Sequence, residues 1–414
     1  MHRRASSRSA DHRTAVRSSW LFALTLIGYP IFGLLSSLLN VDSTLTSMPF
    51  RVGVIVLALL LWRHSPPLRL WWRQHRWLLV FWVLYGARLL WDGLIGGQPG
   101  VPEALVFYAL TVLLPCIMLG LNSAKFDERR AVRLLVSLGG VVCIGAVVMN
   151  TFGLGQARSL GDITDRLYFE ALNPISLGHA AVTTLIAALC ATRHRPDKAR
   201  LLFTLVVAVA AGVCVALSGS RGPTLALGVC ALLFVTATGR WVWLALALLV
   251  FVPLALNSDA DLWQRFSTVT EDDSALERLL LQGNAIQQFL ARPLLGSAYV
   301  ELEFKDYPHN LFIECAMALG VVGLGVLAAT LWRAAKNAVA LVCRGHLLLP
   351  LLFTQYFVAA QFSGALWGSA ALWACAALLV GLTRPATAAP ASAAARRTPR
   401  RRVSTAVPVA DMGP

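Results

Sequence analysis

The sequence predicts an all-α polytopic membrane protein with about 12 transmembrane helices. Three observations carry that expectation. Of the 414 residues, 57% are hydrophobic and only 14% charged, whereas a soluble chain carries about a quarter charged residues. Apolar runs of roughly 17 residues or more recur along the chain, each long enough for a helix to cross about 30 Å of hydrocarbon. A closed barrel would show weak alternating segments instead. Finally, the basic residues between the runs fall in one alternating register.

The runs cover residues 18–39, 46–62, 77–97, 102–120, 132–152, 171–192, 200–217, 222–238, 241–256, 309–332, 345–363 and 365–383. With the N-terminus placed in the cytoplasm, Lys and Arg concentrate on the inner side in 1–17, 63–76, 121–133, 193–200, 333–344 and 384–402, with Arg240. Of the 36 Lys and Arg, only Arg51, Arg88, Arg158, Arg166, Arg221, Arg265, Arg278, Arg292 and Lys305 fall on the outer side or in outer halves of helices. Of the 21 acidic residues, only Asp11, Asp127, Glu128, Asp197 and Asp411 fall inside. This is the positive-inside pattern, and it puts both termini in the cytoplasm. The net charge of +15 is a topology signal, so nucleic-acid binding is not needed to explain it.

The implied organisation is a basic tail (1–17), a transmembrane region (18–383) containing a long outer loop (257–308), and a tail (384–414). The last is rich in Ala, Pro, Ser and Arg, cannot bury a core, and is expected to be disordered and to meet anionic headgroups. The N-terminal tail reads the same way. The first apolar run follows basic residues but is too long for a signal-peptide core, so it reads as a retained helix. The eight cysteines lie in or at the ends of apolar runs without a CxxC spacing. They read as small buried hydrophobes, with neither a disulfide framework nor a zinc site.

Candidate functional residues cluster on the outer side. Arg88 and Asp92 sit one helical turn apart inside the third run. A charge there costs at least about 2.5 kcal/mol to insert, so function is the default reading and a helix-locking ion pair the alternative. Arg166 precedes Asn173-Pro174, with Pro174 suited to a helix first turn. Ser218-Gly219-Ser220-Arg221-Gly222-Pro223 is a tight turn between two runs, which leaves Arg221 little slack. Its planar fork of donors suits phosphate.

In the long loop, Leu280, Leu281, Ile286, Phe289 and Leu290 recur at helical spacing after Glu277-Arg278 until Arg292-Pro293 stops the pattern. An amphipathic helix is expected, lying on the bilayer surface or capping a cavity. Arg278 in its first turn is electrostatically misplaced, which suits a role beyond stabilising that helix. Arg265 lies nearby in the sequence with weaker local support. His309 is expected in the first turn of the tenth span, with Pro308 at N1 and Asp306 or Tyr307 near the cap. The helix dipole there would disfavour imidazolium and leave a neutral base. Asp259-Ala260-Asp261 could hold a divalent ion, but reads better as a solvated loop start.

Taken together, Ser218-x-Ser220-Arg221-Gly222 opening a span, Arg278 before a helix ending in Pro293-Leu294-Leu295-Gly296, and His309-Asn310-x-x-Ile313 followed by Gly320 resemble the O-antigen ligase and polymerase superfamily. Arg166…Asn173-Pro174 is a looser match, and the likeness extends over about residues 20–380. The ligase pattern has Ser where Asn310 stands and Leu where Ile313 stands, so ligase and polymerase both remain open at that motif. The resemblance implies a glycosyltransferase-C-like membrane enzyme with a periplasmic loop in the bacterial inner membrane. It would transfer O-antigen from undecaprenyl diphosphate to a hydroxyl of lipid A-core, with inversion and with no metal or cofactor. On that reading Arg221 and Arg278, with Arg265 and Arg88, bind the diphosphate, and His309 orients or deprotonates the acceptor hydroxyl. Asn310, Arg166, Asn173 and Asp92 support them. A polymerase would use the same donor with a second lipid-linked glycan as acceptor. A lipid-linked sugar transporter is the reading from another class; it explains the spans but gives the long loop and His309 no role.

Overall fold

The computed structural model describes residues 2–155 other than 64, 67 and 99, and then residues 167, 169–193, 197–239, 241 and 273–382. Within these the chain is helical, as expected of an all-α polytopic membrane protein. The helices are α1 (His2–Leu39), α2 (Ser43–Trp62), α3 (Leu68–Leu94), α4 (Val101–Leu121), α5 (Glu128–Thr151), α6 (Pro174–Thr192), α7 (Lys198–Ser218), α8 (Arg221–Thr238), α9 (Asp273–Ala291), α10 (Leu311–Cys343), α11 (Leu348–Ala359) and α12 (Ala370–Leu382). Nine helices among the described residues are long and apolar enough to cross a membrane. The shorter apolar helices α11 and α12 fall on the last two expected runs. Of the run 241–256, residues 242–256 lie outside the described residues, as do Arg166, Arg265, Asp259, Asp261 and the tail 384–414.

Two departures from the sequence reading have simple causes. The basic tail is helical, since α1 begins at His2. Residues 2–17 hold no Gly or Pro and several Ala and Arg, which are good helix formers, so a helix nucleated in the apolar run extends back through them. Lys125 meets Asp11 at 3.0 Å, and the Arg17 guanidinium donates to the Leu60 carbonyl at 3.2 Å. The loop helix α9 begins at Asp273, not at Glu277. Arg278 therefore stands in its second turn, and the dipole argument for its misplacement falls away.

Close helix contacts rest on small residues, as membrane packing favours. A Cβ on Gly139 would lie 2.9 Å from Thr184 Cβ, and one on Gly140 would lie 2.8 Å from a Val207 methyl. These two glycines let α5 approach α6 and α7. The cysteines are free, and all but Cys343 are buried.

α10 breaks at Gly320, whose φ of 62° and ψ of −159° lie outside helical space. That conformation is open essentially to glycine alone. The break frees backbone groups, each costing several kcal/mol if left unpaired in hydrocarbon. The stretch after α9 supplies the partners. Val321 N–H donates to the Pro293 carbonyl at 2.8 Å, and Ser297 N–H donates to the Met317 carbonyl at 2.9 Å. Arg88 Nε donates to the Ala318 carbonyl at 2.8 Å. The Pro293–Gly296 motif and Gly320, separate in sequence, are thus two halves of one joint.

Candidate active site

His309 lies one residue outside α10, not in its first turn. Asn310 is the N-cap, its side-chain oxygen accepting from Phe312 N–H at 3.0 Å and Ile313 N–H at 3.1 Å. Such a cap contributes about 1 kcal/mol. Pro308, Asp306 and Tyr307 therefore precede the helix. Asp306 accepts from Tyr307 N–H at 2.7 Å within its own turn. His309 itself has φ of 54°, a left-handed conformation in which histidine is enriched relative to most residues. Its Nδ1 is buried without a hydrogen-bond partner. Its ring meets Tyr307 edge-on, with centroids 4.5 Å apart.

Burial holds the proton affinity of His309 below the ordinary imidazole range, helped by the Arg278 charge and opposed by Asp306 and Glu277. A neutral His309 is thus expected as before, but for a different reason: desolvation and a neighbouring guanidinium replace the helix dipole. Tyr307 is pushed the other way by burial, then Asp306 and Glu314, with Arg278 opposing. The Arg278 charge thus bears on both side chains. One turn further along α9, Gln282 donates to the Pro308 carbonyl at 3.2 Å and anchors the helix over the histidine turn.

The Arg221 turn reaches the same end of the bundle through the α11–α12 connection. Leu311 N–H donates to the Ala360 carbonyl at 2.9 Å, and the Asn310 amide reaches the Gln361 carbonyl at 3.4 Å. The neighbouring Phe362 lies 3.7 Å from where a Gly222 Cβ would stand. Gly219, at φ 55°, closes α7, and Arg221 opens α8 immediately after. On its other flank the turn presses on α6, where a Gly178 Cβ would lie 2.7 Å from Pro223. Asn173 caps α6 by accepting from Ser176 N–H at 2.7 Å, with Pro174 at N1. Asn173 and Asn310 thus cap α6 and α10 at these ends.

Arg88 and Asp92 are paired at 3.4 Å, as their spacing predicts. Their donors and acceptors are turned on the α10 joint. Arg88 also donates to the carbonyls of Leu295 (2.7 Å), Ser297 (3.1 Å) and Gly296 (3.4 Å), and Asp92 accepts from Tyr299 N–H at 2.7 Å. With Ala318, the guanidinium has a protein partner in every donor direction, which fits the helix-locking reading better than diphosphate contact. Arg88→Ala should strip four backbone carbonyls and Asp92 of a charged donor. Leaving buried groups unpaired costs about 1–3 kcal/mol each, so thermal unfolding in detergent should shift markedly downward. An unchanged melting temperature would contradict the role of clamp.

Glu314, Gln361 and His179 escaped the sequence reading. Glu314 is buried in the first turn of α10; its oxygens accept from Leu366 N–H at 2.9 and 3.0 Å and from Tyr85 O–H at 3.0 Å. It fixes the α11–α12 connection against α10. An acid inside an apolar run was the available signal. Gln361 carried none, since its contribution is a backbone carbonyl. Among the described residues no group of three or more His, Cys, Asp or Glu is arranged to hold a metal ion.

Residues 205–328 match the family model described as O-antigen ligase. That segment is similar to the O-antigen ligase family. It takes in the Arg221 turn, Arg278, His309 and the Gly320 joint, while Arg88, Asp92, Asn173 and the 360–364 turn lie outside it. Neither the curated proteins nor the solved structures compared with the chain include a match. The matched segment is similar to a family of membrane glycosyltransferase-like enzymes of ligase or polymerase type, and the chain around it has the apolar helices of a multi-pass membrane protein.

Proposed function

We propose that this protein transfers O-antigen polysaccharide from undecaprenyl diphosphate to a hydroxyl of lipid A-core, at the periplasmic face of the bacterial inner membrane. The observation that carries the proposal is His309, its Nδ1 buried and unpartnered, on the turn that α9 holds through Gln282 and the Pro308 carbonyl, one helical turn along from Arg278. The Arg221 turn joins them through Gln361 and Phe362. In this reading the acceptor oxygen attacks the anomeric carbon as the bond to the diphosphate oxygen breaks. The hydroxyl proton passes to neutral His309, and the electron pair leaves with the diphosphate. Arg221 and Arg278 meet the charge that develops there, which is where preorganised cations lower a barrier most. Attack opposite the leaving group inverts the anomeric centre. Arg265 is a further donor of positive charge to the diphosphate in this proposal, with Arg166 in support. The arginines supply the positive charge that a divalent ion would otherwise provide.

The test is reconstitution of the full chain with lipid-linked O-antigen and lipid A-core. Transfer to core is expected, with Arg221→Lys impaired because it keeps the charge and loses the fork. Chain growth on the lipid carrier without transfer to core would make it a polymerase. Transport across vesicles with no bond formed would remove the enzyme reading. Activity abolished by EDTA and restored by a divalent ion would overturn the metal-free step.

The pH dependence is a separate check. His309 must be neutral to accept a proton, so transfer should fall only as pH drops through a value below the ordinary 6.5 of imidazole. Asp306→Asn removes a charge that raises His309 while its side-chain oxygen can still accept from Tyr307 N–H. The acid limb of the pH–rate profile should then move to lower pH. A shift to higher pH would contradict the assignment.

A further inference from the structure

A cavity of about 390 Å³ lies between α1, α2, α4, α6 and the α11–α12 connection, beside the proposed active site and distinct from it. Arg51 and His179 both line it. Arg51 lies eight residues into α2 from Ser43 and His179 five residues into α6 from Pro174. At 1.5 Å per residue these are about 12 Å and about 8 Å below the helix ends, a depth where an uncompensated charge is costly.

Neither residue is satisfied by the protein among the described residues. The Arg51 guanidinium rests 5.0 Å from the Phe107 ring centroid and has no hydrogen bond or ion pair. Both ring nitrogens of His179 are buried without a partner. Among the described residues no Asp or Glu lines the cavity. The hydroxyls of Ser176, Ser363 and Thr111 line it, alongside apolar Phe50, Val54 and Leu372. A permanent cation without a counterion, a ring with open donor and acceptor, and apolar walls describe a receptor for an anion attached to an apolar body.

We propose that this cavity binds the phosphate of an amphiphile, with Arg51 and His179 as its ligands. Arginine offers a forked pair of donors to phosphate oxygens, and His179 adds a third donor from the opposite wall. The amphiphile's apolar body packs on the Phe50 and Val54 side. The site does not depend on the transfer reaction, and it adjoins the reaction centre. A Gly222 Cβ would lie 3.8 Å from His179 Nε2, and Ala360, which holds Leu311, lines the cavity. An amphiphile held here presents its polar end toward the Arg221 turn, where a second lipid-borne substrate would have to enter.

The experiment is photolabelling of the full chain in nanodiscs with a short-chain phosphatidic acid carrying a headgroup-proximal diazirine, and mapping of adducts by mass spectrometry. Adducts are expected on residues 175–180 and 363–372. They should fall at least tenfold in Arg51→Gln and persist in Arg51→Lys, which retains the charge. Ser363→Leu, which narrows the cavity without removing charge, should also reduce them and covers the case in which Arg51→Gln fails to fold. Competition separates the sources of phosphate. Undecaprenyl monophosphate or unlabelled phosphatidic acid should displace the probe, whereas displacement by inorganic phosphate alone at equal concentration would overturn the amphiphile. Adducts confined to residues 278–310, or unchanged in both Arg51→Gln and Ser363→Leu, would overturn the cavity assignment. Because no bond transfer is read out, failure of the proposed ligase activity would leave this result standing.

Discussion

His309→Ala is expected to lower the transfer rate by about 100- to 10,000-fold, the usual contribution of a positioned general base, with the protein still inserted and eluting as wild type. The reason is geometric before it is electrostatic. His309 stands outside the helix, free of the first-turn hydrogen-bonding pattern, so beyond its edge-on contact with Tyr307 its side chain has little structural role to lose. Its left-handed φ of 54° would strain an alanine by about 1–2 kcal/mol, which confuses a stability loss with a catalytic one. His309→Asn separates the two, because asparagine tolerates that conformation yet cannot take up a proton at neutral pH. Both variants should lose transfer to the same extent. Substantial transfer by the Asn variant would leave His309 a positioning residue at most.

Gly320→Ala should be the most damaging single substitution for folding. A Cβ there would collide with the backbone of Pro293 and Leu294, and the φ/ψ pair excludes side chains whatever the space. Backbone strain alone costs about 1–3 kcal/mol, and the collision would separate α10 from the Pro293–Ser297 stretch. The carbonyls and amides freed by the break would then be unpaired. Little or no monodisperse protein is expected, and what survives should melt well below wild type. Gly325→Ala is the matched control, five residues further along the same helix with nothing within 4 Å of its would-be Cβ. It should be neutral or gain up to about 1 kcal/mol. Equal behaviour of the two variants in a thermal melt would remove the joint from the account.

Much of the protein was legible before any coordinates. The all-α class and the membrane class followed from run length and composition, because crossing hydrocarbon constrains composition directly. The turn at Ser218–Pro223, the stop at Arg292-Pro293 and the Arg88–Asp92 pairing were local, and local spacing decides them. Where the reading failed, the deciding interaction was between neighbours at short range with equal claims. Pro308 and Asn310 are both plausible starts for α10. The asparagine prevailed because its side chain reaches two free N–H groups at once. That displaced His309 from the helix and changed why it is neutral.

What the sequence determined by itself, then, is a polytopic helical chain, the side of the membrane its charges favour, and the residue types able to stabilise a leaving diphosphate and accept a proton. Only the tertiary structure decided what each of those residues meets. Arg88 looked like a phosphate ligand until its donors were found on the carbonyls of the α10 joint. His179 and Arg51 stand in separate helices, and only the fold places both on one cavity. The physical reason is that a hydrogen bond or a shared cavity joins groups 128 or 230 positions apart as readily as neighbours, and no local pattern records which distant carbonyl a guanidinium will meet.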